Sequence, residues 1–348
     1  TNAITGVAGA WLDSIPMIAI SGQVKREVLS DYSKLRQMGP QEIDITRIVA
    51  PINKYAVTIL DPNKIRYELE KCFYLASSDR PGPVWIDIPL DVQSTVINEK
   101  KLIGFTAPKN KQNNIDKFII QTILTLKKSK RPILIAGNGV RLSNGQNQLK
   151  QLVKRLNIPV LLPFGGLDLI AEDEHFFVAK FGPGGQRRGN FALQNADLVL
   201  SIGASLNIAS IGFEYKGFAQ NAKKIIVNVD LEELRKKTLP VKKTDILIKS
   251  DANLFLKNLL KETKKTTFNF DPKWHKTLLV WKKKYLNITS DFYDDKKHVN
   301  SYVFFDTLSD LLKPADVLTS GIGLDGSSMY QAFRLKKGQR AYVNKNFG

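Results

Sequence analysis

The sequence has 348 residues, 43% of them hydrophobic and 24% charged, enough for two domains of ordinary size or for one with parts of others. Composition excludes a collagen-like, disordered or disulfide-built chain, and Cys72 as the only cysteine rules out an internal disulfide and a cysteine zinc site and points to the cytoplasm. The formal charge is +19, but the lysines are spread along the chain with short runs such as Lys127-Lys128 and Lys282-Lys283-Lys284, without the interleaved aromatic platforms of a single-strand binder. No nucleic-acid partner is expected, and with no apolar run of about 18 residues no membrane span is expected either.

Three blocks follow in chain order. Thr1-Asn2-Ala3-Ile4 is neither an initiator methionine nor a signal sequence, and it leads straight into structure. Ile15 to Ser21 is an almost purely apolar run, as for a strand buried on both faces, and Tyr55 to Leu60 is a second strand. Asp61-Pro62 starts a helix, because Asp caps free N–H groups and Pro loses no hydrogen bond at the first position. That helix sets Ile65, Leu69, Cys72, Phe73 and Ala76 on one stripe, and Val84 to Ile88 is the next strand. Strand, helix and strand with short joints mean a parallel α/β layer over residues 1–95. Residues 96–114, polar and rich in lysine and asparagine, read as a linker.

The second block, 115–263, alternates again: strands at Pro132–Ala136, Pro159–Pro163, Ala196–Gly203, Lys224–Asp230 and Asp245–Ile248, with a helix over Ser143–Leu156. This is a doubly wound α/β domain of Rossmann type. A helical connector over 264–297 carries Trp274, Leu278, Trp281 and Tyr285 on one face. The third block, 298–348, opens with a helix over Ser301–Leu312 facing inward through Val303, Phe304, Leu308 and Leu311. A strand over Ala315–Ser320 leads into Gly321-Ile322-Gly323, and too few residues remain to close a third α/β domain. Tyr342 to Gly348 reads as a strand running into a loop that does not continue, so the chain is expected to be an internal piece of a longer protein.

Glycine turns are the features that could carry chemistry. Gly137-Asn138-Gly139 follows a strand and precedes a helix, where open parallel sheets bind phosphates, but lacks the third glycine of the dinucleotide fingerprint. Gly182-Pro183-Gly184-Gly185-Gln186-Arg187-Arg188-Gly189 either meets an anion with its two arginines or is a surface loop. Gly203-Ala204-Ser205 ends another strand at the same edge, and Asp230 ends the next. Together these turns suggest a nucleotide crevice and name no ligand. His175, His275 and His298 have no metal-ligand spacing, and no nucleophile elbow or P-loop is present.

The first block is more specific. T-N-A-I-T-G-V-A-G-A-W-L-D-S-I-P-M-I-A-I-S-G-Q-V, L-R-Q-M-G-P-Q-E-I-D-I, P-I-N-K-Y-A-V and R-P-G-P-V-W-I-D-I-P-L-D-V-Q resemble, in order and spacing, the second half of the pyrimidine-binding domain of thiamine-diphosphate-dependent enzymes of the acetolactate synthase type. G-N-G-V-R-L-S and A-D-L-V-L-S-I-G-A-S-L resemble the family's central domain, and Gly321-Ile322-Gly323 with Q-R-A-Y-V-N the start of its diphosphate-binding domain. The resemblance implies thiamine diphosphate and Mg2+ as cofactors. The implied reaction is decarboxylation of a 2-keto acid with transfer of the acyl carbanion to a second carbonyl, as in branched-chain amino acid biosynthesis. It also implies a homodimer or homotetramer with sites between subunits. The family's activating glutamate is expected upstream of Thr1 and its metal-binding motif downstream of Gly348, so this piece alone is expected to be inactive.

Residue by residue, the resemblance implies that Gln23 lies near the active-site entrance and that Gly323, Leu324 and Asp325 form the turn touching the cofactor diphosphate, Asp325 without binding the metal. Gln41, Glu42 and Lys54 match the substrate channel, Lys54 being the best candidate for holding a keto-acid carboxylate and a surface lysine its bland alternative. Two departures, Ala50 in place of an arginine and Ser205-Leu206-Asn207-Ile208 in place of a charged stretch, remove flavin contacts and put FAD binding in question. Pro40 stands where the family often has an aromatic residue facing the substrate, so the substrate need not be pyruvate. The alternatives to an acetolactate synthase-like carboligase are a sister thiamine-diphosphate enzyme, such as a 2-keto-acid decarboxylase or a surface-sugar lyase, and a non-catalytic paralogue.

Overall fold

The computed structural model describes residues 1–109, 114–294 and 297–343, and the chain divides into two compact units between Gln112 and Asn113. The first unit contains α1 (Ile4–Asp13), β1 (Met17–Gln23), α2 (Ile45–Val49), β2 (Tyr55–Thr58), α3 (Ile65–Ser77), β3 (Pro83–Pro89) and α4 (Leu90–Gln93). Its three strands are parallel in the order β1-β3-β2. Alternation along β3 serves two cores: Val84 and Ile86 pack with Cys72 and Ala76 of α3, while Trp85 packs with Val7 of α1 and Val49 of α2.

Asp61 caps the 3-10 turn Pro62–Lys64 that leads into α3, its carboxylate accepting the Asn63 N–H at 3.0 Å. Two expectations fail here. Phe73 stands about 100° round the helix from Cys72 and is 66% exposed. β1 is an edge strand, not one buried on both faces: Ile18 reaches the core beneath α3, whereas Ile20 is 63% exposed. Beyond 95 the chain stays on α3, with the Phe105 ring edge-on to Tyr67 at 5.5 Å and its N–H donating to Glu70 at 2.7 Å. Residues 110–113 of the expected linker lie outside the described residues.

The second unit begins with α5 (Asp116–Lys128), β4 (Pro132–Ala136), α6 (Gly139–Leu142), α7 (Gln146–Leu156), β5 (Val160–Leu162), β6 (Phe177–Lys180) and α8 (Arg187–Asn195). It continues with β7 (Leu198–Ile202), α9 (Ile208–Ile211), β8 (Lys223–Asn228), α10 (Leu231–Arg235), β9 (Ile246–Lys249) and α11 (Ala252–Thr263). The six strands are parallel in the order β6-β5-β4-β7-β8-β9. The chain therefore moves outward from β4 to β6, then returns to the other side of β4, and the direction reverses between β4 and β7. One face is covered by α5, α7 and α11, the other by α8 and α12 (Pro272–Lys284). α12 is thus part of the central core: Trp274 is buried and its indole N–H donates to the Pro132 carbonyl at 3.1 Å.

The end of the unit comprises α13 (Ser301–Leu311), β10 (Val317–Ser320), α14 (Leu324–Ala332) and β11 (Arg340–Val343), with β10 and β11 parallel. The inward face of α13 runs through Phe305 and Ser309, while Phe304 and Leu311, expected inside, are exposed. Leu308 packs against this core as expected, and Val303 is half-buried. Residues 344–348, the expected terminal loop, lie outside the described residues. This end is fixed to the central sheet by polar bonds. Tyr330 stacks on Phe164 with centroids 3.7 Å apart and its hydroxyl lies 2.8 Å from the Leu162 and Phe181 carbonyls. Asp168 is held by Arg141 and Arg340, each at 2.7 Å.

Replacing Tyr330 by Phe removes only the hydroxyl, whose one hydrogen is shared between the two buried carbonyls, of which Leu162 keeps the Phe181 N–H. The expected cost is about 1–2 kcal/mol, read as a lower midpoint in urea unfolding of the chain with an unchanged slope.

Candidate functional site

The carboxyl edge of the first sheet is polar. Strand register places Ser21, Asp87 and Thr58 in one row across β1, β3 and β2. Asp87 is 1% exposed and accepts from Ser21 Oγ at 2.6 Å, Gln23 Nε2 at 3.2 Å and Thr58 Oγ1 at 3.3 Å. Burial pushes its carboxyl above the usual range, against the hydrogen bonds from Ser21, Gln23 and Thr58. The Trp85 indole N–H donates to Ser21 Oγ at 2.8 Å. Asp87 was not singled out from the sequence. The available signal was a lone carboxylate inside the apolar run V-W-I-D-I-P, in phase with Trp85.

Gln23 ends β1 inside this network. Its Nε2 also donates to the Ile43 carbonyl at 2.9 Å, and its Oε1 accepts the Val24 N–H at 2.9 Å. Gln23 is therefore brought together with the segment containing Gln41 and Glu42. Gln41 is exposed in a left-handed conformation (φ 63°). Glu42 is buried and turned inward, accepting the N–H groups of Ser30 at 2.5 Å, Met38 at 2.8 Å and Gly39 at 3.2 Å. Burial alone would raise its pKa, but these backbone bonds bring it down from 4.5 to about 2. Glu42 thus organises the loop rather than facing a channel.

Lys54 stands elsewhere. Its N–H donates to the Pro83 carbonyl, level with Met17, whereas Gln23 is level with Pro89. Six residues of strand, about 20 Å at the usual rise, separate the two rows. The Lys54 ammonium donates to the Ser78 and Arg80 carbonyls at 2.6 and 3.0 Å, and burial lowers its pKa. Within one copy of this unit, Lys54 does not share a pocket with Gln23. It borders an open recess of about 430 Å³ beside Arg47, Ala50 and Asn53.

In the second unit the expected turns do gather at the carboxyl edge, but they fill one another. A Cβ on Gly137 would lie 2.3 Å from the Gly203 oxygen and 2.4 Å from Ala204 Cα, and one on Gly139 2.8 Å from Gly203 Cα. The amides of this junction are satisfied by backbone: Gly137 N–H by Ile202, Gly139 N–H by Gly203 and Gly203 N–H by Val227, each at 2.9 Å. The Asn138 carbonyl accepts from Arg141 and Leu142. The glycines are required by close approach of two chain segments.

The same holds for Gly182, whose φ is 108° and whose Cβ would lie 2.5 Å from the Ser210 oxygen. Gly182 follows β6 and Ser210 follows β7, strands three positions apart in the sheet, or about 14 Å at the usual spacing. Residues 205–212 therefore cross the carboxyl ends of β4 and β5 as a strap. Lys236 holds the strap through the Ser205 carbonyl, and Asn207 caps α9 by accepting the Ser210 N–H. Asp230 caps α10 through the Glu232 N–H at 2.9 Å. Arg188 is neither an anion receptor nor a solvated loop residue. It is buried on α8 and donates to the Val178 and Tyr285 carbonyls and to Asn287 Oδ1.

At the end of β10, residues 321–325 are exposed and lead into α14. Gly326 has no room for a Cβ, which would lie 2.3 Å from the Gly321 oxygen. Asp325 accepts from Ser320 Oγ at 2.8 Å and Gly321 N–H at 2.9 Å, which hold its carboxyl below the usual range. Such a turn at a helix N-terminus suits an anion, and the ionised Asp325 suits one that carries a cation. Among the described residues no group of three His, Cys, Asp or Glu side chains could hold a metal ion, and no helix is long and apolar enough to cross a membrane.

Comparison with known proteins decides between the fold and a more specific reading. Residues 1–48 match the thiamine pyrophosphate enzyme N-terminal TPP binding domain, and residues 119–259 match the thiamine pyrophosphate enzyme central domain. The chain belongs to the thiamine pyrophosphate enzyme family. It is 33% identical over 302 residues to the acetolactate synthase large subunit of Cyanidium caldarium, covering 84% of this chain and 50% of that protein. It is 32% identical over 287 residues to the acetolactate synthase large subunit of Lactococcus lactis (82% and 48%) and 34% identical over 270 residues to the probable one of Methanococcus aeolicus (75% and 43%). The chain spans about half the length of these relatives.

Glu42 makes a pH prediction for this family member. Its folded pKa is depressed, so the stability it contributes is complete above its ordinary value of 4.5 and is lost as pH falls toward about 2. Protection from hydrogen exchange at Ser30, Met38 and Gly39, taken relative to the intrinsic rate at each pH, is expected to fall across that window in the parent chain. In Glu42→Gln it is expected to be low already at pH 6 and to show no such transition.

Proposed function

We propose that the whole protein carrying this chain is a thiamine-diphosphate-dependent carboligase of the acetolactate synthase type. It would use Mg2+ and work as a homodimer or homotetramer in the cytoplasm. The observation that carries this reading is the similarity to acetolactate synthase large subunits over three quarters or more of the chain. Thiamine diphosphate would supply the electron sink that lets a 2-keto acid lose CO2. Residues of this chain would serve its surroundings. Gly323, Leu324 and Asp325 at the head of α14 would face a cation-bearing diphosphate. Gln23, anchored on Asp87, would fix the segment of Gln41 along the approach to the reacting groups.

One observation favours a flavin-free member, whether carboligase or a sister decarboxylase or lyase. The strap 205–212 and the Gly137–Gly203 contact occupy the edge where a dinucleotide would lie. The loss of charged residues at Ala50 and at Ser205-Leu206-Asn207 supports the same conclusion.

Incubating the whole protein with pyruvate, thiamine diphosphate and Mg2+ tests the reading. Acetolactate is the expected product, from protein that shows no flavin absorbance as purified. Aldehyde release or an inert pyruvate with another keto acid consumed would move the assignment to a sister enzyme. Failure to bind thiamine diphosphate at all would remove both.

A further inference from the structure

The polar row at the carboxyl edge of the first sheet carries an inference about control of Gln23. We propose that Asp87 is a positioning residue that sets the orientation of the Gln23 amide and through it holds residues 38–44, a role that rests on the carboligase reading, in which that segment lines the approach of the 2-keto acid. An ionised carboxylate can only accept hydrogen bonds. Gln23 must therefore turn its NH2 toward Asp87, at 3.2 Å, and the second hydrogen of the same NH2 reaches the Ile43 carbonyl at 2.9 Å. Only then does Oε1 meet the Val24 N–H. With the amide reversed, two acceptors would oppose Gln23 Oε1 and the Val24 N–H would face a donor. Ser21 cannot relieve this, because it accepts from Trp85 and gives its own hydrogen to Asp87.

The surroundings of Asp87 show why its charge matters. Among the described residues its oxygens receive only neutral donors, from β1 (Ser21, Gln23) and β2 (Thr58). The charged or titratable groups coupled to it include Asp44, at the head of α2, and Tyr32. Neither compensates a negative charge. Because burial raises the folded pKa, this group favours the fold at low pH, and that contribution is lost as pH rises through the raised value. When ionised, the carboxylate is held at a cost to stability, and what it then provides is direction: an acceptor with no donor face. The segment it orders is pinned a second time from within by Glu42, so Ile43 is fixed from the sheet and Met38 and Gly39 from the loop.

Asp87→Asn keeps the shape and gives position 87 a donor, which admits the reversed Gln23 amide. Backbone hydrogen exchange of Val24 is expected to rise about tenfold, with Val84 and Ile86 of β3 unchanged. Adding Gln23→Glu moves the carboxylate across the pair and again offers Val24 an acceptor, so its exchange is expected to return toward the parent value. In the whole enzyme, Asp87→Asn is expected to raise KM for the 2-keto acid about tenfold with kcat within about twofold, whereas simple loss of folded enzyme would lower kcat and leave KM alone. Unmoved Val24 exchange overturns the proposal, as does altered exchange with an unmoved KM. If the single variant does not fold, recovery in the double variant supports the proposal and failure of both overturns it. A parent enzyme with no carboligase turnover sinks the functional reading by itself, and the Val24 exchange then decides the control of Gln23.

Discussion

Every strand pair in both units is parallel, and this one constraint decides where everything else can be. Parallel neighbours cannot be joined by a hairpin, so each connection crosses the sheet and all carboxyl ends arrive at one edge. In the first unit that edge receives Ser21, Gln23, Thr58 and Asp87, and their side chains bond to one another. In the second unit it receives Gly137, Gly182 and Gly203, and there the absence of side chains lets backbone touch backbone. The same topology thus yields a side-chain network in one place and a closed backbone junction in the other.

Much of this architecture was legible as local pattern. Pro132–Ala136 is a continuous apolar run and Leu198–Ile202 is apolar but for Ser201, as suits strands buried on both faces. Where pattern is read through a helical phase, a residue next to the true stripe already stands about 100° round the helix, which is how Phe73, Phe304 and Leu311 came to be expected inside. β6 escaped notice because it has only four residues and ends in Lys180, whose charge suggests solvent. In the fold Lys180 is fully buried against Glu172 and the Phe333 carbonyl. No local signal shows such a partner 153 residues away.

The site residues were less legible for a related reason. Resemblance finds positions, and direction comes only from the fold. The resemblance singles out Gln23 and Glu42, yet Glu42 points into its own loop. Lys54, close to both in sequence, stands about six residues of strand away because α2 carries the chain back to the opposite edge before β2 begins. The glycines at 137, 182 and 203 were read as room for a ligand, since a missing Cβ permits any close approach. The structure shows that the approaching group is the chain itself.

The buried charges then separate structure from direction. Asp168 lies between two arginines, and Lys180 meets Glu172: each charge is neutralised by its opposite, as a scaffold requires. Among the described residues Glu42 meets no cation, but three backbone N–H groups stabilise its charge enough to lower its pKa. Asp87 has neither, and its pKa rises. If only packing were at stake, a neutral side chain of the same shape would serve better at that position. The buried carboxylate differs from such a side chain in one respect, which is that while ionised it cannot donate. That property is transmitted to Gln23, from Gln23 to Ile43 and so to the loop at the carboxyl edge, the part of a parallel sheet where ligands are met. The physical case for function in this unit therefore rests on the polarity of one amide more than on any residue exposed to solvent.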